Sequence, residues 1–412
     1  MSNLCHIATL SNGLRVIHEA SASEVVYCGY VVCAGTRHED EADAGMAHFI
    51  EHMSFKGTHR RRAFHIINGL ERVGGDLNAF TNKQETVYCA TVLRQDFERA
   101  ADLLTDIVFG STYPQREIDK EVEVICDEID SYKDSPAEII FDEFEAMLFK
   151  AQPLGRDILG AAERLRTYTT ADALRFAEKY YRPENAIFYI YGQVDFDRAV
   201  RVLEKNFRLV APRPALSAPL PAALACHCCE GETRVVERGT HQAHVLLGSP
   251  AFGGSDPRRF AMLLLNNLLG GPGMNSRLNL SLREKAGLVY SVDSYLNTYP
   301  DTGFWNVYFG CDIHDVERCR KLVVRELQKL YDRPLTDSQL TIAKKQLKGQ
   351  IGISCDNGEG YALALGKTFA HYNCQRRVEN IFEEIDRLTP HTLQEVAAEV
   401  YNPERLTTLI YK

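Results

Sequence analysis

The chain lacks several things that would send its reading elsewhere. It has no apolar run near 20 residues, which argues against a helical membrane protein. Its first residues, MSNLCHIATLSNGLRVI, show neither the basic-then-apolar order of a secretory leader nor the Arg-rich character of a transit peptide, so a cytoplasmic chain is expected. An excess of positive charge is also missing: 47 Lys and Arg against 56 Asp and Glu leave a net charge of −9, no footprint for nucleic acid or an anionic membrane. The 12 cysteines are scattered through predicted strands and helices, which in a long chain without a leader indicates reduced thiols. Only Cys226-His227-Cys228-Cys229 clusters, and no second Cys/His group stands at ribbon or finger spacing, so this run reads as linker composition.

What is present is ordinary in bulk and specific in detail. A chain of 412 residues, 45% hydrophobic and 25% charged, suits a soluble globular protein of two or three domains. Residues 48–52, His-Phe-Ile-Glu-His, lie in the apolar helical stretch AGMAHFIEHMSF and invert the order of the usual His-Glu-x-x-His zinc helix. With about 100° of turn per residue, His48 and His52 stack on one helix face and Glu51 stands beside them. Two imidazoles so placed can share a tetrahedral Zn²⁺ at about 2.0–2.1 Å, with Glu51 close enough to take a proton from a water. Met46, Phe49, Ile50, Met53 and Phe55 mark an inward-packed helix, where unliganded histidines and a glutamate would be costly.

A third ligand is sought on another helix. In QREIDKEVEVICDEIDSY, Gln115–Tyr132, Ile118, Val122, Ile125 and Ile129 form one apolar stripe. Glu121 and Glu128 border it, whereas Glu123, Asp127 and Asp130 project to the opposite side. A charge run is usually a solvated face. Two carboxylates leave it here, as a metal ligand and a carboxylate supporting another ligand would do.

These residues resemble the pitrilysin/insulysin family of zinc metallopeptidases, the inverzincins, and its two-domain bacterial and mitochondrial-processing-peptidase-like branch. AHFIEHMSFKGT matches the family's motif with its flanks; Glu128 follows His52 by 76 residues and Glu121 by 69, the spacing of the family's distal E-x6-E. The resemblance implies His48, His52 and Glu128 as zinc ligands, Glu51 as general base and Glu121 as a supporting carboxylate. It further implies that GGDLNAFTNKQETVYCATV lines the cleft as an edge strand, with Asn78, Ala79 and Phe80 touching an extended peptide. Taken alone, the alternation at Thr86-Val87-Tyr88 fits a hairpin inside a sheet equally well.

An internal duplication organises the chain. TTADALRFAEKYYRPENAIFYIYG at 169–192 is echoed by TPHTLQEVAAEVYNPERLTTLIYK at 389–412, an offset of 220. Both halves also carry a strand (Val25–Ala34; Ala243–Ser249), an apolar helix, a long strand region and a second amphipathic helix. The halves meet at APRPALSAPLPAA, 211–223, where four prolines in ten residues favour an extended spacer. Three segments are therefore expected: a zinc-binding domain 1–210, a linker 211–223 and a homologous domain 224–412. The predicted fold class is α+β, two homologous α/β domains, each a mainly antiparallel sheet flanked by helices.

Laying AMLLLNNLLGG from Ala261 on the zinc helix puts Met262, Leu265 and Asn266 where His48, Glu51 and His52 stand, so the second copy has no metal site. Its GGPGMNSRLNLSLREKAGLVYSVDSYL resembles the family's C-terminal motif, a glycine-rich turn followed by Arg and Tyr seven apart. That resemblance implies Arg283 holding substrate and Tyr290 bonding the carbonyl oxygen as it becomes an oxyanion. Gly287 is expected to end the helix carrying Arg283.

The reading is a zinc-dependent endopeptidase or oligopeptidase for short or unfolded peptides. The resemblance implies half of a clamshell chamber, completed by a homodimer. A heterodimeric processing peptidase is the alternative assembly. A catalytically silent scaffold and a metallohydrolase of another substrate class are separate alternatives, distinguished by metal content and by a substrate panel.

Overall fold

The computed structural model describes residues 5–210, 229, 231–375 and 377–412. The Pro-rich 211–223 and Cys226–Cys228 of the cysteine cluster lie outside them. Two compact units interleave along the chain, one built from residues 5–130, 156–210 and 354–375, the other from 131–155, 231–353 and 377–412.

The strands of the first unit are β1 Cys5–Thr9, β2 Arg15–Glu19, β3 Val25–Val32, β4 Asp76–Thr81, β5 Thr86–Leu93 and β6 Ala186–Tyr191. They form one sheet in the order β1-β2-β6-β3-β5-β4, antiparallel except for β2 with β6. The helices up to β6 are α1 Met46–Met53, α2 Ala63–Glu71, α3 Phe97–Phe109, α4 Gln115–Lys133, α5 Pro136–Leu148, α6 Ala162–Leu165 and α7 Thr170–Tyr180; α8 Phe196–Phe207 follows it. The second unit's strands are β7 Thr233–Val236, β8 Ala243–Ala251, β9 Val289–Thr298, β10 Gly303–Cys311 and β11 Thr407–Tyr411. The remaining helices are α9 Arg259–Gly270, a π-helix Asn279–Lys285, α10 Val316–Asp332, α11 Asp337–Ser354, α12 Gly358–Tyr372, α13 Val378–Arg387 and α14 Pro390–Val400.

The second sheet runs β7-β11-β8-β10-β9, with β7 and β11 parallel and all other pairs antiparallel. This is the order β2-β6-β3-β5-β4 repeated, so the duplication extends to topology. The echoed segments explain how each copy closes. Thr169 and Thr389 cap α7 and α14 by accepting from the amides of Asp172 and Thr392, satisfying helix-start donors that would otherwise be orphaned. A proline-led 3₁₀ turn, Pro183–Asn185 or Pro403–Arg405, then turns the chain into β6 or β11.

Both faces of each sheet are covered, which is why β3 reads VVYCGYVV without clean alternation. Val26, Cys28, Tyr30 and Val32 join the main core of α1, α3 and α7. Val31, with Ile17, Val87 and Ile187, meets Ala362, Leu365 and Phe369 of α12 on the other face. The approach is close: a Cβ on Gly366 would lie 2.5 Å from the Tyr189 ring, so α12 can sit there only with glycine at that point. In the second unit Ile140, Phe144 and Leu148 of α5 cover Leu246, Phe304, Leu409 and Tyr411 in the same manner. Each sheet is thus backed by a helix from the opposite half of the sequence.

Candidate metal centre

Helix α1 starts at Gly45, whose φ of +84° suits only a residue without a Cβ penalty. The Glu39 carboxylate accepts from the amides of Gly45 (2.9 Å) and Ala47 (2.8 Å), tying down the helix start. At the other end the Ser54 hydroxyl donates to the Ile50 carbonyl (2.8 Å) and meets the buried Tyr88 hydroxyl at 3.0 Å. Between these anchors Met46, Ala47, Phe49, Ile50 and Met53 are buried in the core, leaving His48, Glu51 and His52 on the remaining face.

Glu128 arrives from α4. Glu121, Val122, Ile125 and Ile129 are buried, Glu123, Asp127 and Asp130 are exposed, and Glu128 is half-buried. His48 Nε2 and His52 Nε2 lie 3.9 and 3.7 Å from Glu128 Oε2. Among the described residues, His48, His52 and Glu128 form the one group of histidine, cysteine and acidic residues whose ligand atoms, within 4.8 Å of one another, could hold a metal ion. Zinc bonds of about 2.0–2.2 Å in tetrahedral geometry need donor atoms about 3.3–3.6 Å apart, which small side-chain rotations supply here. Two imidazoles and a carboxylate suit Zn²⁺ in charge and softness.

Protonation agrees with that donor set. Burial, then neighbouring His52, hold the His48 imidazole down at about 3, so it stays neutral with a lone pair available. Its Nδ1 is buried and makes no hydrogen bond. His52 Nδ1 lies 3.0 Å from Glu121 Oε1, a pairing that puts the ring proton on Nδ1 and turns the Nε2 lone pair toward Glu128. Burial would lower His52, but the Glu121 bond and the charges of Glu51, Glu121 and Glu128 outweigh it and the net shift is upward. Burial likewise works against the Glu121 carboxylate, yet bonds from His52 and Lys56 hold it below the usual range. Lys56 Nζ sits 2.6 Å from Glu121 Oε2.

Glu51 is buried and accepts from the Thr81 hydroxyl at 2.7 Å. Burial pushes its carboxyl up, against the Thr81 bond and the His52 charge. Thr81 is the last residue of β4, the edge strand carrying Asn78, Ala79 and Phe80. No other strand pairs with the outer edge of β4 among the described residues. Asn78 is exposed, and Ala79 and Phe80 are half-buried.

Arg283 and Tyr290 belong to the second unit. Arg283 stands exposed on the π-helix, 3.5 Å from Asn279 Oδ1 and 3.6 Å from Glu284 Oε1. Gly287 ends that helix at φ +62°, its amide donating to the Arg283 carbonyl at 3.0 Å. Tyr290 is the second residue of edge strand β9 and is 90% exposed. Sequence reasoning gave no role to Thr81, Lys56 or Glu39. The first two lie within the matched runs NAFT and FKGT, so their positions were in view; Glu39 had no signal of its own.

Comparison with known proteins gives a consistent result. Family models described as insulinase (peptidase family M16) and peptidase M16 inactive domain match residues 15–162 and 167–347. The chain is 34% identical to an uncharacterized zinc protease of Streptomyces coelicolor over 95% of its own length and 86% of that protein's. It is 29% identical to the human mitochondrial-processing peptidase subunit beta, covering 96% and 82%. A crystal structure of a protease from Helicobacter pylori, 22% identical, superimposes with a TM-score of 0.92 over 100% of both chains, which shows the shared fold. The chain therefore belongs to the insulinase family of peptidases, M16, in which its relatives are named as zinc proteases.

Proposed function

We propose that this chain is a zinc-dependent endopeptidase or oligopeptidase that hydrolyses short or unfolded peptides. The observation that carries the reading is the convergence of His48, His52 and Glu128 beside a buried Glu51 at the end of an open edge strand. His48, His52 and Glu128 would hold the zinc, which when bound acidifies a water and polarises a carbonyl. Glu51 takes the proton from the attacking water and returns it to the leaving amine. Its upward-shifted carboxyl suits a group that must both accept and release that proton. Thr81 holds one Glu51 oxygen, so the carboxylate presents the other. Glu121 orients His52. An extended peptide adds to β4 through backbone bonds along Asn78, Ala79 and Phe80.

In the second unit Tyr290 donates to the substrate oxygen as negative charge develops, and Arg283 anchors the peptide. The active assembly is a homodimer enclosing substrate in a chamber, since one chain carries both the zinc residues and the Arg283/Tyr290 pair. The similarity to a protein named as a subunit beta supports a second reading, in which this chain pairs with a different partner. No helix among the described residues is long and apolar enough to cross a membrane.

The test offers a stable folded protein and its chemically unfolded form to the zinc-loaded chain, maps cleavage by mass spectrometry and measures solution mass by light scattering. Cleavage confined to the unfolded form by a dimer is expected. Equal cleavage of both forms, or full activity from a strict monomer, would overturn the chamber while leaving the zinc chemistry standing.

A further inference from the structure

One groove of the second unit carries a charge opposed in sign to that of the whole chain. A groove of about 820 Å³ is lined by Arg277, Lys285, Arg318, Arg325, Lys329 and Arg333, with Glu326 its one carboxylate. Lys329 pairs with Glu326 at 2.7 Å and Arg318 approaches Asp315 at 3.7 Å. The side chains of Arg277, Lys285, Arg325 and Arg333 make no ion pair or hydrogen bond among the described residues. Half-burial works against the charge on Arg277, and only Glu326 opposes it. Six cations lining one groove against a single carboxylate make a local positive field that favours an anionic ligand.

The arrangement says what shape of anion fits. Arg318, Leu322, Arg325 and Lys329 stand at i, i+4, i+7 and i+11 of α10, one helix face about 16 Å long. The remaining lining comes on one side from the π-helix, which packs against α10, with its flanking residues Arg277 and Ala286, and on the other from the α10–α11 connection, Arg333 to Thr336, and Gln339 of α11. Charges spread along such a line do not converge on a single phosphate; they match an extended chain of about five residues at roughly 3.3 Å each. Leu280, Leu322 and Leu335 lie among the cations and offer apolar contacts between them. The lining contains no aromatic residue, hence no platform on which bases would stack.

We propose that this groove binds extended acidic peptide segments in which Asp or Glu alternates with apolar residues, and so selects substrates bearing such stretches. The selection rests on the peptidase reading above; the binding does not. Because one wall is the π-helix that carries Arg283, a segment held there bears on the element that anchors substrate.

The test uses the full chain with Glu51→Gln, so that hydrolysis does not consume the probe, and a fluorescent peptide of alternating Glu and Leu beside its twin with Lys for Glu. Anisotropy should report binding of the Glu peptide, weakened by salt, and none of the Lys twin. The double variant Arg318→Glu/Arg325→Glu should weaken binding at least about tenfold, and Arg325→Glu alone should weaken it less, with circular dichroism and zinc content unchanged in both. In the chain with Glu51 intact, the double variant should raise KM for a peptide with an acidic tail and leave kcat for a neutral peptide alone. Equal binding of the two probes, or full binding by the double variant, would overturn the groove as an acidic-peptide site. Tighter binding of inorganic polyphosphate or an oligothymidylate than of the Glu peptide would overturn the peptide as its ligand. Absence of all cleavage with intact anisotropy results would instead remove the peptidase reading and leave the groove.

Discussion

Helices α1 and α9 occupy equivalent places in the two copies, α1 between β3 and the β4–β5 edge hairpin and α9 between β8 and the β9–β10 edge hairpin, and they carry opposite chemistry. On α1 the face turned away from the core presents His48, Glu51 and His52; on α9 the aligned positions are Met262 and Leu265, both buried, and Asn266. Each helix is nonetheless tied to its edge strand by a polar bond. Glu51 accepts from Thr81 of β4, and Asn266 accepts from Ser294 of β9 at 2.6 Å, with the Trp305 indole donating to Ser294 at 2.8 Å. The scaffold therefore needs one helix-to-edge tether, which a neutral amide fulfils. A buried carboxylate and two imidazoles exceed what tethering requires, and that surplus is the chemistry.

The sharpest way to break the comparison is at Glu51. Glu51→Gln keeps an acceptor for Thr81, as Asn266 does for Ser294, so fold and zinc content should persist while turnover falls by about 10²–10⁴. Steady-state kinetics beside elemental analysis decides this; near-wild-type turnover, or loss of zinc, removes Glu51 as the base. The second unit's share is tested by Tyr290→Phe. An exposed phenol on β9 has little to do for stability, so a drop of about 10²–10³ in kcat would place it at the developing oxyanion. Unchanged kinetics in that variant would make the second copy structural only.

Next comes the converse change on α9. Leu265→Glu introduces a carboxylate where 1% of the residue is exposed and no base is needed. It should cost about 3–5 kcal/mol, whereas Leu265→Met should cost under about 1.5 kcal/mol. Urea melts showing equal midpoints for the two variants would mean that α9 tolerates the acidic inlay of α1 after all.

Much of this contrast was legible in the sequence. The stripe of Ile118, Val122, Ile125 and Ile129 gives the phase of α4, and the structure buries Glu121 and exposes Glu123, Asp127 and Asp130 as that phase requires. The echo at an offset of 220 fixes equivalent caps, turns and strands in both sheets. The exchange of α5 and α12 was not legible. An amphipathic pattern states that one face is buried and is silent on which sheet buries it. Thr81 and Lys56 lay inside motif runs, but hydroxyls and lysines in such runs carry no sign of their partner until α1, α4 and β4 are in place.

The exchanged helices supply a further contrast. The β4–β5 turn is locked to α12 by Glu85, 1% exposed, which meets His371 at 2.6 Å and Lys367 at 2.8 Å. The β9–β10 turn is held to α5 by a Tyr299 hydroxyl donating to Glu145. Burial would raise Glu85, but His371 and Lys367 outweigh it and hold the carboxyl at about 2, below its ordinary 4.5. A carboxyl lowered in the folded state stabilises above 4.5 and loses that contribution as pH falls toward 2. Glu85→Gln should therefore flatten the loss of stability between pH 4.5 and 2, a difference of up to about 3 kcal/mol. Parallel slopes for variant and wild type in acid melts would deny the α12 tie this role.

The smallest expected effect separates charge from orientation at His52. In the second copy a neutral amide and a hydroxyl suffice to fix Asn266, so orientation alone is available without a carboxylate. Glu121 supplies both: its Oε1 fixes the His52 tautomer, and its negative charge, balanced by Lys56, makes the ring a stronger donor. Glu121→Gln retains an oxygen that can accept from His52 Nδ1 and loses the charge, while Glu121→Ala loses both. Zinc affinity, read by competition with a chelator, should fall about tenfold in the first and about a hundredfold in the second. With zinc in excess, both variants should recover most of their turnover, because Glu121 acts through His52 and not on the substrate. Equal affinity in all three proteins would leave Glu121 as a buried ion-pair partner of Lys56, and lost turnover at full zinc occupancy would move it into the proton transfer itself.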